Sequence, residues 1–288
     1  YYLLQKQRLE LTIKWHEQLI GNPLTISHPA TIKSRLESLP VFQLYSLIIE
    51  AQSKADNALL YEQVETLFRT EVKTLGLKDQ MEIMKILLNY YSGQINKGKS
   101  GFQGKTFLLY KFGLELELLF IQGQISETTF TNIATLGILE KEFQWVEHFI
   151  EAYQEKLPVS IRKDATSLGL ALLFMHQKKY DQAVHLMLNH SFSNPLHIIK
   201  AKTLLIRVYF EQFMEDNSYA ELLLDQSYAF EKYIRRNKKI SSLKKEIYLN
   251  FILSIRKAIL HILDNTLDID FYHKLKARKA LILKSWLL

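Results

Sequence analysis

Gly93, Gly98, Lys99 and Ser100 stand in the spacing G-x-x-x-x-G-K-[ST], with which a glycine turn wraps phosphate oxygens and a lysine neutralises them. That chemistry needs a strand to deliver the chain to the turn and a helix N-terminus to follow it. The run before the match, 79–96, instead carries Met81, Met84, Leu87 or Leu88, Tyr91 and Ile95 at steps of three and four. That is the period of an amphipathic helix, and Asp79 with Glu82 reads as a capping box at its start. The two candidates for a magnesium-binding aspartate on a strand, "ELLLD" (221–225) and "HILDN" (261–265), also fall inside helical periodicity. Residues 93–106 are therefore expected to form a loop between two helices, with no nucleotide and no other cofactor bound there.

Other reactive residue types are present without a recognisable arrangement. None of the nine histidines forms H-E-x-x-H or meets a carboxylate at metal-ligand spacing on one helical face. Glu115 and Glu117 are two apart, so on a helix they point apart. There is no cysteine, which removes disulfides, thiolate metal sites and a cysteine nucleophile, and fits a reducing, cytoplasmic setting.

Charge is the remaining chemical signal. Residues 1–194 balance 20 Lys and Arg against 20 Asp and Glu, whereas 195–288 hold 17 against 10 and supply the whole net charge of +7. Arg235, Arg236, Lys238 and Lys239 precede Lys244, Lys245, Arg256 and Lys257, with Glu246 the only acid between Lys232 and Lys257. Lys245 and Arg256 are eleven residues apart and share a helical face. The first four cations also close a helix, where positive charge complements the dipole without any ligand. A compact polyanion patch of Arg235, Arg236, Lys238, Lys239, Lys244 and Lys245 is the second functional expectation, with nucleic acid as its partner.

The elements that must position these residues are helical almost throughout. Ten glycines and five prolines in 288 residues disfavour a many-turned β protein. Periodicity places helices near 41–53, 57–75, 80–96, 104–122, 126–138, 141–156, 160–176, 180–190, 195–212, 217–236, 240–263 and 268–285, with no convincing strand. Asn194-Pro195 opens one of them as a cap followed by proline in the first turn. No apolar run approaches the ~18 residues that would span a bilayer. Residues 1–38 are less regular, and a chain that opens on Tyr1 is expected to be a piece of a longer protein.

Helical hairpins in series call for a test of repeat period. On the 34-residue tetratricopeptide template, 164–197 places small residues at Ala171 and Ala183, large ones at Leu170, Phe174, Tyr180 and Met187, and Pro195 at the next opening. Small residues let the two helices approach, and large ones fill the space beside them. The neighbouring units match less well. The segments "TNIATLGILEKEFQWVEHFIEAYQEKLP" (131–158), "AKTLLIRVYFEQ" (201–212), "YIRRNKKIS" (233–241), "YLNFI" (248–252) and "KSWLL" (284–288) resemble the uncharacterised tetratricopeptide-like helical proteins of Bacteroidetes. Over roughly 80–288 the resemblance implies that fold and a bacterial origin, and it brings no catalytic residues.

The resulting expectation is an all-α, right-handed solenoid of antiparallel helical hairpins over 39–288, preceded by an irregular segment at 1–38. It is expected to act as a non-enzymatic protein-interaction scaffold for a protein or peptide partner. Ala165, Leu168, Leu172, Met175 and His176 fall on the template positions that line a concave groove. This surface is apolar, where a carboxylate clamp would need Lys and Asn. Either a neighbouring element covers it or it receives an amphipathic segment.

Overall fold

The computed structural model describes residues 38–54, 57–192, 194–266, 269–278, 280–283 and 286. The expected irregular segment 1–38 lies outside the described residues apart from Ser38. Twelve α-helices and one pair of two-residue strands are present among them, so the protein is all-α. No helix among the described residues is long and apolar enough to cross a membrane. The chain divides after Ile121 into two compact units.

In the first unit α1 (Pro40–Ser53), α2 (Ala58–Glu71), α3 (Leu77–Asn96) and α4 (Phe102–Glu115) pack in sequence order, each on the next. Tyr45, Ile48, Phe68, Leu87 and Tyr91 are fully buried between them. The expected capping box is not formed: α3 begins at Leu77, and its N-cap is Gly76 with no side-chain bond. Asp79 and Glu82 instead accept from the Tyr45 hydroxyl at 2.8 and 3.1 Å, so a contact from α1 takes the carboxylates that a local reading assigned to the helix end.

Helix α4 ends at Glu115, well short of residue 122, and the missing turns are replaced by strands the periodicity did not show. Glu117 adopts φ 57°, and β1 (Phe120–Ile121) pairs with β2 (Gln124–Ile125) around Gln122 and Gly123 at φ 51° and 75°. A two-residue turn with both central residues left-handed matches the twist of a hairpin, and Gly123 adopts that geometry without strain. A Cβ on Gly113 would lie 3.0 Å from Leu119 and 3.1 Å from Met84, so a glycine lets the returning chain approach α4.

The second unit runs α5 (Glu127–Leu139), α6 (Phe143–Tyr153), α7 (Val159–His176), α8 (Tyr180–Asn189), α9 (Pro195–Glu215), α10 (Ala220–Arg236), α11 (Ser242–Leu263) and α12 (Ile269–Ala277). Local chemistry sets several of these starts. Ser126 accepts from the Thr129 N–H, and Asn194 accepts from the Leu196 N–H with Pro195 opening α9, as the sequence implied. From α5 to α11 each helix packs on its successor, and α7 also packs on both α5 and α9.

Ala171 and Ala183 are both fully buried in one continuous core that includes Met187, Phe213, Phe230 and Phe251. Ala183→Leu is therefore expected to overpack the α7–α8 contact at a cost of about 1–3 kcal/mol, read as a lowered urea midpoint. An unchanged midpoint would show that this position tolerates volume and that the close helix approach is not set by alanine.

Candidate functional site

Leu168 and Leu172 are one turn apart on α7, and both stay half-buried because they look into a cavity, not into the core. Phe130 and Ala134 from α5 and Leu204 from α9 complete the apolar walls of this cavity of about 380 Å³. Gly169 also lines it; a Cβ there would sit 3.2 Å from Ile150, so a larger residue would push into the packing behind the wall. Helices α5, α7 and α9, with Tyr248 from α11, thus form one largely apolar concavity, the kind of surface that takes an apolar segment or ligand.

One side of the concavity is closed by the chain itself. Ile282 and Leu283 line it, and Trp286 lies beyond them over the Arg207 guanidinium at 5.2 Å from the ring centroid. The Trp286 indole N–H donates to Glu211 at 2.8 Å, and its ring meets Phe210 at 5.4 Å between centroids, edge to face. The surface the sequence left open to either a covering element or an incoming segment is therefore partly covered from within.

The predicted lining residues divide. Leu168, Leu172 and Ala165 line the cavity. Met175 does not: it is 5 % exposed and belongs to the core with Ala171. Leu168, Leu172 and Met175 are spaced i, i+4, i+7 and share a face of α7, but Met175 lies about two turns beyond Leu168, past the cavity lining, and packs into the core instead. His176 is half-buried near Arg207, and burial together with that guanidinium pushes its pKa below the usual histidine value against the pull of Glu211.

A chain of ionisable side chains that sequence reasoning missed, buried at Asp164 and His197, runs alongside the groove. His197, 1 % exposed, places Nδ1 2.6 Å from Asp164 and Nε2 3.1 Å from Glu127. His190 contacts the other oxygen of Asp164 at 2.7 Å, and Lys200 contacts the other oxygen of Glu127 at 2.5 Å. Burial alone would raise both carboxylates. The bonds from Lys200 and His197 outweigh it at Glu127, those from His190 and His197 at Asp164, and both are held below their ordinary values. His197 is too enclosed to meet a substrate, so the chain's evident work is to tie α5, α7 and α9 together. A signal was available: Asp164 shares a helical face with Leu168 and Ala171, and an acid on an apolar face needs a partner.

The basic residues cluster as a surface patch that Arg256 does not join. Arg235, Arg236, Lys238, Lys239 and Lys244 are exposed around the α10–α11 turn, and the Lys245 ammonium donates to the Arg235 carbonyl at 3.1 Å. Arg256 turns inward instead, where it donates to Ser227 at 2.7 Å and Glu231 at 2.5 Å and lies 3.8 Å from the Tyr228 ring centroid. It braces α10 against α11, so the shared face read for Lys245 and Arg256 is not a binding stripe.

The phosphate-loop spelling falls on a helix-turn-helix backbone. Gly93 lies inside α3, and only Lys97–Gly101 form the turn into α4, with Gly98 and Gly101 at φ 74° and 80°. The Gly98 N–H donates to Ile95, and the Lys97 and Lys99 N–H groups both donate to Gln94. Those amides satisfy the carbonyls at the end of α3 and do not form a phosphate cradle.

Among the described residues no group of three or more His, Asp or Glu side chains is placed to hold a metal ion. No protein-family model, curated protein or solved structure matches this chain.

Proposed function

We propose that the protein is a non-enzymatic interaction scaffold of tetratricopeptide-like type, a right-handed stack of helical hairpins whose α5–α7–α9 concavity receives an apolar segment of a partner protein. The observation that carries this reading is the concavity itself: an apolar cavity of about 380 Å³ with the chain's own Ile282 and Leu283 already seated along it. A surface that accepts apolar side chains from its own chain has the shape and chemistry to accept them from another. The packing of α7 on both α5 and α9, with Ala171 and Ala183 buried in one core, supports the hairpin-stack arrangement.

Site-specific photo-crosslinking in the native cells tests it. A benzophenone amino acid in place of Leu168 is expected to trap a discrete protein partner. The same group in place of Leu188, exposed on α8 away from the cavity lining, is expected to trap none. No adduct at position 168, or equal labelling at both positions, overturns the reading.

A further inference from the structure

Arg207 is the feature of the groove that the scaffold reading leaves unused. It comes off α9 into the wall of an apolar cavity, half-buried. Its Nε is enclosed without a hydrogen-bond partner, and no ion pair to it occurs among the described residues. Its neighbours are the Trp286 ring, His176 and Glu211, whose carboxylate accepts from the Trp286 indole. Burial pushes its pKa down to about 10. A guanidinium drawn out of water without an anion is costly, and the same enclosure strengthens any carboxylate bond offered to it. Lys200, the other cation on the wall, is paired with Glu127, whereas Arg207 has no ion-pair partner among the described residues.

We propose that the segment received by the groove carries a carboxylate side chain among apolar residues, and that this carboxylate pairs with Arg207 while the apolar residues lie against Leu168, Leu172 and Ala134. The inference rests on the groove reading and adds the charge of the partner to it. The chain's own tail fits the apolar half of this description, since Ile282, Leu283 and Trp286 occupy the groove side and the aromatic face of Arg207. The carbon skeleton of the tail thus marks where an incoming segment lies, and the Arg207 side chain on the cavity wall marks where its acid points. Charge then selects among apolar segments, which apolar packing alone does poorly.

The test uses the full chain and fluorescent nonapeptides based on residues 280–288, ALILKSWLL, with Lys284 replaced by Ala and a single Glu moved through the first five positions. Each is paired with its Gln counterpart. At least one Glu peptide is expected to bind about tenfold more tightly than its Gln partner, the size of one charge-assisted bidentate bond. That preference should vanish in Arg207→Gln and persist in Arg207→Lys, with both variants checked for an unchanged melting temperature. Should Arg207→Gln fail to fold, loss of the Glu preference above ~0.5 M salt in the unmodified protein reads the same pairing.

Peptides that bind with equal Glu and Gln affinities overturn the acid requirement and leave the groove reading standing. Failure of every peptide to bind, together with no crosslink at position 168, removes both. If dodecanoate binds in an Arg207-dependent way and no peptide does, the cavity serves a small amphipathic acid and the partner assignment falls.

Discussion

Asp164→Ala is expected to lower the stability of the protein by about 3–5 kcal/mol, read as a large drop in urea midpoint, because it strips the carboxylate from two histidines at once. His197 is 1 % exposed and would keep Glu127 on one nitrogen while losing a 2.6 Å contact on the other. His190 would lose its bond as well. Asp164→Asn should cost less, since an amide oxygen still accepts one bond. The pH dependence follows from the direction of the shifts. Asp164 and Glu127 have folded pKa values below the ordinary one, so their stabilising effect is complete above the unfolded value of about 4 and is lost as pH falls through the depressed folded values. Unmodified protein should therefore lose stability in acid below about pH 4. Asp164→Ala, already without this contribution, should lose less over the same interval. An unfolding free energy within about 1 kcal/mol of the unmodified protein at pH 7 would mean that this chain of side chains does not hold α5, α7 and α9 together.

Arg256→Glu should be the most damaging change among the C-terminal cations, on the order of 3 kcal/mol, although the sequence places it beside surface lysines. It would exchange the bonds to Glu231 and Ser227 and the stack on Tyr228 for one carboxylate facing another. Glu231 keeps Arg235 at 2.7 Å, which limits the loss. Lys238→Glu, on the exposed patch, should stay within about 0.5 kcal/mol. The same pair separates structure from polyanion binding. If the patch meets phosphates, Lys238→Glu weakens binding to duplex DNA at 50 mM salt while Arg256→Glu changes stability first. Equal stability losses from the two variants would contradict the brace assigned to Arg256.

Apolar spacing at three and four residues located the helices and excluded a strand before Gly93, because such spacing repeats within any single turn or two. It erred where a distant contact outbid a local signal: at Asp79 and Glu82, claimed by Tyr45, and after Glu115, where Gly113 and Gly123 allow the chain to fold back. The groove was half legible. Leu168 and Leu172 do line the cavity, while Met175, at i+7 from Leu168 on the same helical face, packs into the core, a difference that spacing along one helix does not encode.

The sequence by itself determined an all-α protein, most helix limits, the burial of Ala171 and Ala183 and the confinement of excess charge to the last third, all properties of composition or of neighbours a turn apart. The tertiary structure decided which polar groups meet. Asp164 and His197 are 33 residues apart, Arg256 and Glu231 25, Trp286 and Glu211 75. No local period encodes those pairs, since each forms only after apolar faces have packed and carried its members together. That packing is why Asp164 and Arg256 became braces between helices, and why Trp286 came to lie over Arg207 beside the groove.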